Sequence, residues 1–142
     1  MIPTFEWRGD IDNAALCALM AAAFGGRPSL KDWRSQLCSH SLGWVCATHP
    51  SAGLVGFVNV PWDGDVHAFL LDTALLPSWQ RHGIATDLVA VAVDHARRAG
   101  CQWLHVDYEP HLDGFYERAC GFRPTEAGLI DLTAGAESVT IL

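Results

Sequence analysis

The stretch VHAFLLDTALLPSWQRHGIATDLVAVAVDHARRAG, residues 66–100, constrains the fold more than any other. Its first eleven residues are almost all apolar. They predict a long central strand, buried on both faces. A proline-led turn, PSWQRHG, follows. The next eighteen residues place Ile84, Leu88 and Val91 on one stripe at helical spacing, with Val89 and Val93 beside it. Asp87 sits near the N-terminal end of that helix. Arg97 and Arg98 lie in its last turn, and Gly100 stands where a helix-terminating glycine belongs.

Strands and helices alternate along the rest of the chain, which predicts a layered α/β domain spanning residues 1–142. TFEWR (4–8) reads as a short strand. Asp10 or Asp12 is positioned to cap a helix through Ala14–Phe24, broken by GGRP (25–28). SLKDWRSQLCSH (29–40) predicts a second helix with Ser29 as cap and Leu30, Trp33 and Leu37 on one face. SLGWVCATH (41–49) and GLVGFVNV (53–60) predict a hairpin. CQWLHVDY (101–108) reads as a further strand, and HLDGFYERAC (111–120) as a short helix closed by Gly121. FRPTEAGLIDL (122–132) is expected to end the core, and SVTIL (138–142) is a candidate edge strand.

Nine Lys and Arg stand against sixteen Asp and Glu, a formal charge of −7. A basic face for general nucleic-acid binding is not expected from that balance. The five cysteines are odd in number, irregularly spaced and free of any C-x-x-C. That pattern predicts buried thiols in a reducing cytoplasm, with neither a disulfide framework nor a metal site. The opening MIPTFEWRGD lacks a signal-peptide pattern, and the apolar run of residues 14–24 is too short to span a bilayer.

The turn at 77–86 carries the chemistry. A helix N-terminus presents unpaired N–H groups and the positive end of the helix dipole. Gly83 allows close approach to the backbone. Arg81 and His82 add cationic or polar side chains. The stretch therefore reads as a phosphate or pyrophosphate nest. G-x-x-x-x-G-K-[ST] and G-x-G-x-x-G are both absent, which excludes a P-loop and a Rossmann fingerprint. The pattern that fits is [QR]-x-x-G-x-[GA], formed by Gln80, Gly83 and Ala85. In its context, LLDTALLPSWQRHGIA, it resembles the acyl-CoA pyrophosphate loop of the GNAT (Gcn5-related) N-acetyltransferases. FYERACGF (115–122) resembles the last signature of the same family.

The resemblance implies a mixed twisted β-sheet flanked by helices in three layers, α/β/α. The strands at 66–76 and 101–108 would splay into a V that admits acetyl-CoA. Backbone groups of Ala74, Leu75 and Leu76 would pair with the pantetheine arm and the thioester carbonyl. Amides of Arg81, His82, Gly83, Ile84, Ala85 and Thr86, beside Gln80, would hold the pyrophosphate. The implied activity is acetyl transfer from CoA to a primary amine by direct attack, on a small molecule or a peptide. Tyr116 would assist the departing thiolate; the same residue also reads as a core aromatic. Many family members place a Glu near the position of Leu71, which cannot serve as a base. His105, where relatives often carry Glu, is a candidate base, with Asp107 to orient it or to contact a cationic substrate. Base work through water stays open. Asp72 reads as an acceptor-binding or a structural carboxylate, and Trp33 and Trp62 as acceptor-pocket aromatics or packing. A non-catalytic acyl-CoA binding or sensing module is the alternative. Family members often dimerise, which makes SVTIL a candidate exchanged strand and a homodimer an expectation.

Overall fold

The structure is a computed structural model and describes residues 2–133. Five strands form one open sheet in the order β1-β2-β3-β4-β5: β1 (Thr4–Trp7), β2 (Ser41–His49), β3 (Gly53–Pro61), β4 (His67–Leu75) and β5 (Trp103–Val106). The first four pair antiparallel, and β5 joins β4 in parallel. Three helices cover the sheet: α1 (Asn13–Phe24), α2 (Trp33–His40) and α3 (Ile84–Arg98). The α3 helix crosses one face, packing on β1 to β4. Helices α1 and α2 lie over β2, β3 and β4 on the other. Two apolar clusters follow. One gathers Val45, Val58, Leu70, Leu75, Ile84, Leu88 and Tyr116. The other gathers Leu16, Leu19, Trp33, Leu37, Trp44, Phe57 and Ala74.

Local chemistry sets the boundaries. Asp12, not Asp10, caps α1, accepting from the amides of Ala14 and Ala15 at 2.9 and 3.4 Å. The second helix starts three residues later than the sequence predicts, because Asp32 rather than Ser29 is its cap, accepting from the Ser35 amide at 3.1 Å. Leu30 therefore lies outside the helix, fully exposed. The α3 helix runs as expected, but Ile84, Leu88, Val89, Ala92 and Ala96 are its buried residues, and Val91 is only half-buried. The small side chains of Ala92 and Ala96 let the helix lie close on the sheet.

Three further expectations are corrected. β4 is not buried on both faces: Phe69 is 39% exposed and Leu71 46% exposed, because neither α1 nor α2 reaches that end of the sheet. The helix expected at 111–120 is a π-helical turn over Gly114–Ala119. Its Cys120 amide reaches back five residues to the Phe115 carbonyl, and Gly121 leaves it at φ +81°. Residues 122–132 do not complete the core. Phe122 packs against it, but Leu129, Ile130 and Leu132 are exposed and no strand forms there; Pro124 offers no N–H to a ladder. SVTIL lies outside the described residues.

Candidate functional site

The register between β4 and β5 ends at Leu70 opposite Val106, while β4 continues to Leu75. Past that rung the two strands part, leaving one edge of the upper half of β4 unpaired by β5. A bulge shapes this edge. Phe57 faces Ala74 and Asn59 faces Leu71, so Asp72 and Thr73 stand against the single residue Val58. Asp72 takes φ +58°, a conformation uncommon for any residue but glycine. The extra residue reverses side-chain parity. Before it, Ala68 and Leu70 point to the α3 core. After it, Leu75 does so and Ala74 joins the α1/α2 core.

The Leu76 amide already donates to the Val55 carbonyl at 2.9 Å. By antiparallel alternation, Ala74 likewise turns its backbone groups toward β3. Leu75 turns its N–H and carbonyl the other way, toward the gap. Of the three backbone positions named from the sequence, only Leu75 is therefore directed at a ligand in the cleft.

Beyond the gap, a 3-10 turn at Pro77–Trp79 is steadied by Trp79 against His49, ring centres 5.1 Å apart. Arg81 and Gly83 then take φ +66° and φ +77°, and His82 lies between them. The alternation curls the loop, and Gly83 supplies the N-cap of α3. The first helical bond runs from Asp87 N–H to Gly83 carbonyl at 3.1 Å. The amides of Ile84, Ala85 and Thr86 thus have no acceptor within the helix. Gln80, Arg81 and His82 are exposed around them, and the buried Ile84 side chain anchors the turn. From this loop a groove of about 300 Å³ runs between α3 and the π-helical turn, lined by Thr86, Val89, Val93, Arg97, Ala119 and Cys120. A larger, more open hollow beside Asp10, Asp12 and Arg34 lies at the start of α1, away from these groups.

Tyr116 projects from the π-helical turn and is buried. Its ring stacks on Tyr108 at 5.0 Å and meets Phe115 and Phe122 edge-on. Burial pushes its phenol above the ordinary value, opposed by a hydrogen bond with the Thr73 hydroxyl. The phenol is therefore at the bulge, protonated across neutral pH. Tyr108 donates to Glu117 at 2.7 Å, which also raises its phenol. Cys120 is likewise raised by burial, so it is a poor thiolate source.

On the α1/α2 side, the face of β4 and β5 is open: Phe69, Leu71, Trp103 and His105 are all exposed. Asp107 continues the alternation past β5 and is exposed. At one border Asp72 accepts from Asn59 Nδ2 at 3.2 Å, and Asn59 Oδ1 accepts from the Ser41 hydroxyl at 2.5 Å. Trp33 does not reach this face. It is 5% exposed, packed edge-on to Phe57 with the Lys31 ammonium 3.7 Å above its ring. Trp62 is half-buried against the α3 core.

A profile of the Acetyltransferase (GNAT) family matches residues 13–122. The chain belongs to the GNAT acetyltransferase family. A GNAT family acetyltransferase from Streptococcus pneumoniae has the same fold at 26% identity, TM-score 0.72, over 93% of this chain and 99% of that one. A GNAT family N-acetyltransferase from Escherichia coli in complex with CoA is similar at 21% identity, TM-score 0.70, over 86% of this chain and 69% of that one. AAC(6')-Iy, bound to the bisubstrate analogue CoA-S-monomethyl-acetylneamine, is similar at 22% identity, TM-score 0.70, over 90% and 97%. No curated protein sequence matches.

Three residues of the site were not named from the sequence. Asn59 is fully buried and interrupts the apolar run GLVGFVNV, which is a readable signal. Thr73 and His67 carried none, since the bulge and the parallel pairing that place them are tertiary. Among the described residues no cluster of three or more His, Cys, Asp or Glu is arranged for a metal ion, and no helix is long and apolar enough to cross a membrane.

Proposed function

We propose that this GNAT protein is a cytoplasmic N-acetyltransferase that moves an acetyl group from acetyl-CoA to a primary amine. One juxtaposition carries the reading: the unpaired edge of β4 ends at the amide nest of residues 81–86, with the Tyr116 phenol beside the same edge at Thr73. A pyrophosphate on the nest would be held by the free amides at the start of α3 and by Arg81. The pantetheine arm would then follow the β4 edge, where Leu75 N–H is placed to donate to the thioester oxygen as it gains charge.

The amine approaches from the open face of Phe69, Leu71, Trp103 and His105. Its lone pair attacks the carbonyl carbon, and the carbon–sulfur bond breaks with its electrons left on sulfur. Tyr116 donates to that thiolate. Its raised phenol is a weaker acid than a thiol, so it acts chiefly by hydrogen bonding. The Thr73 hydroxyl stands beside the phenol. His105 receives the amine proton, with Asp107 beside it. Asp72, held by Asn59, contributes negative charge at the acceptor's entrance.

Calorimetric titration with acetyl-CoA, CoA and ADP tests the donor half. Comparable tight binding of both CoA species and much weaker binding of ADP is expected. No binding of acetyl-CoA overturns the reading. A panel of primary amines, followed by thiol release, tests the acceptor half. The second reading, a binding or sensing module without turnover, draws on Leu71, an exposed side chain without a base on the acceptor face. It predicts tight acetyl-CoA binding and no thiol release with any amine.

A further inference from the structure

His67 opens β4 and His105 lies within β5. In the parallel register His67 faces Trp103 and His105 faces Phe69, so the two imidazoles are diagonal neighbours on the open face. Nδ1 of His67 is 2.8 Å from Nε2 of His105, with ring centres 5.0 Å apart. Phe69 stacks on His105 at 4.9 Å with 21° between the planes, which fixes the ring's orientation. A nitrogen–nitrogen contact of this length requires one ring to donate and the other to accept. Two imidazolium rings would each present a proton there and could not keep the contact. The pair therefore holds one proton between its rings.

We propose that His67 and His105 form a proton-sharing pair in which His105 takes the proton of the acceptor amine and His67 passes a proton on to solvent. The inference rests on the N-acetyltransferase reading and deepens it. The nitrogens left free are Nδ1 of His105 and Nε2 of His67. As the amine attacks, its N–H bond breaks and an N–H bond forms at His105 Nδ1. The proton on His105 Nε2 crosses to His67 Nδ1, and the proton on His67 Nε2 leaves to water. Both rings finish neutral with exchanged tautomers, and exchange with water resets them. His67 is thus a positioning residue that acts through His105.

The surrounding groups are consistent with this direction. Leu71 offers no competing base on the same face, and Asp72 is engaged by Asn59. In the turn before β4, Asp63 accepts from the His67 backbone amide at 3.2 Å, and Asp65 lies next to it. Asp107 follows His105 by two residues. Arg123 lies 5.7 Å over the Trp103 ring beside the pair.

The experiment uses the full chain with ¹⁵N-labelled histidine, in wild type, His67→Phe and His67→Gln. In wild type, His67 Nδ1 and His105 Nε2 should show complementary protonation, one carrying the shared proton and the other accepting it. In His67→Phe, the tautomer of His105 should no longer be fixed by that contact. With acetyl-CoA and an active amine, the profile of kcat against pH should differ from that of wild type. The kcat should fall at least roughly tenfold at unchanged KM for acetyl-CoA. Glutamine can accept from His105 but cannot pass a proton on. Failure of His67→Gln to restore kcat supports the relay, and full restoration overturns it. An identical His105 tautomer in wild type and His67→Phe overturns the pairing itself. Absence of acetyl-CoA binding to wild type in calorimetry overturns the acetyltransferase reading and the relay with it, while the nitrogen spectra still decide the pairing.

Discussion

Replacing Gly83 by alanine separates the loop's conformational role from its role in binding. Gly83 sits at φ +77° and ψ 4°, and no atom lies within 4 Å of where its Cβ would stand. The folded protein has room for the methyl group. The cost is that of placing an L-residue in the left-handed region, about 1–2 kcal/mol. For a domain of this size that lowers Tm by roughly 3–8 °C. Binding should suffer far more. A methyl group at the turn stands where a phosphate oxygen must approach, and relaxation of φ turns the neighbouring amides away. Loss of two charge-assisted hydrogen bonds at about 1.5 kcal/mol or more each weakens acetyl-CoA at least about a hundredfold. Calorimetric titration well below Tm reads this on folded protein. Gly53→Ala is the control: Gly53 also has positive φ, +72°, and open surroundings, but opens β3 opposite His49, away from the loop. It should lower Tm by a similar amount and leave binding unchanged. Acetyl-CoA affinity in Gly83→Ala within about twofold of wild type would refute the nest as the pyrophosphate site.

Tyr116→Phe should lower kcat by roughly 10²-fold or more with acetyl-CoA affinity kept, measured by thiol release beside calorimetry; an unchanged kcat removes the phenol from the chemistry. Gly43→Ala should cost about 1–3 kcal/mol in urea unfolding, because the Trp7 ring, itself stacked on His95, occupies the place of the new methyl group. Burial pushes the Cys46 thiol up to about 12, and Cys38 is exposed. Peptide mapping after alkylation of native protein at about pH 8.5 should find Cys38 modified and Cys46 protected until denaturant is added. Since the folded value of Cys46 lies above its reference of 9.0, its contribution to stability is complete below about pH 9 and lost as pH rises toward 12. Alkaline melts should show that decline, and Cys46→Ala should flatten it.

The parts of the fold that depend on local chemistry were legible. The span of α3, its glycine start and its basic last turn are properties of neighbouring residues, and so is the glycine-led turn before it. The β2–β3 hairpin follows from two β-rich runs and a short turn. What depends on which surfaces meet was not legible. Nothing in VHAFLLDTALL says that α1 and α2 stop short of Phe69 and Leu71, so an apolar run read as buried stands half open. Period-two reasoning assumes an uninterrupted pleat and cannot place a bulge. The base position stayed ambiguous for the same reason. His105 was visible in the sequence, but its partner lies 38 residues earlier and meets it only through the parallel β4–β5 register.

The bulge explains why the two halves of the site coincide. With an unbroken pleat, Ala68, Leu70 and Ala74 would share the α3 face, and the same parity would carry through the end of β4. The extra residue instead gives the lower half of β4 an open face of Phe69 and Leu71, and the upper half a fully packed Ala74 and Leu75. The change falls at Asp72 and Thr73, beside the last rung shared with β5. Asp72 bears a positive φ that the chain would ordinarily avoid. It is held there by Asn59, a buried amide whose own oxygen is satisfied by Ser41. Thr73, the other residue of the bulge, stands beside the Tyr116 phenol. A buried asparagine in an apolar strand costs stability unless both ends of its amide are used, and here both are. The polar chain from β2 through β3 to β4 thus fixes the point where β4 stops being a sheet strand and becomes the wall of a cleft. The phenol and the open face of Phe69 and Leu71 take their positions from that same point.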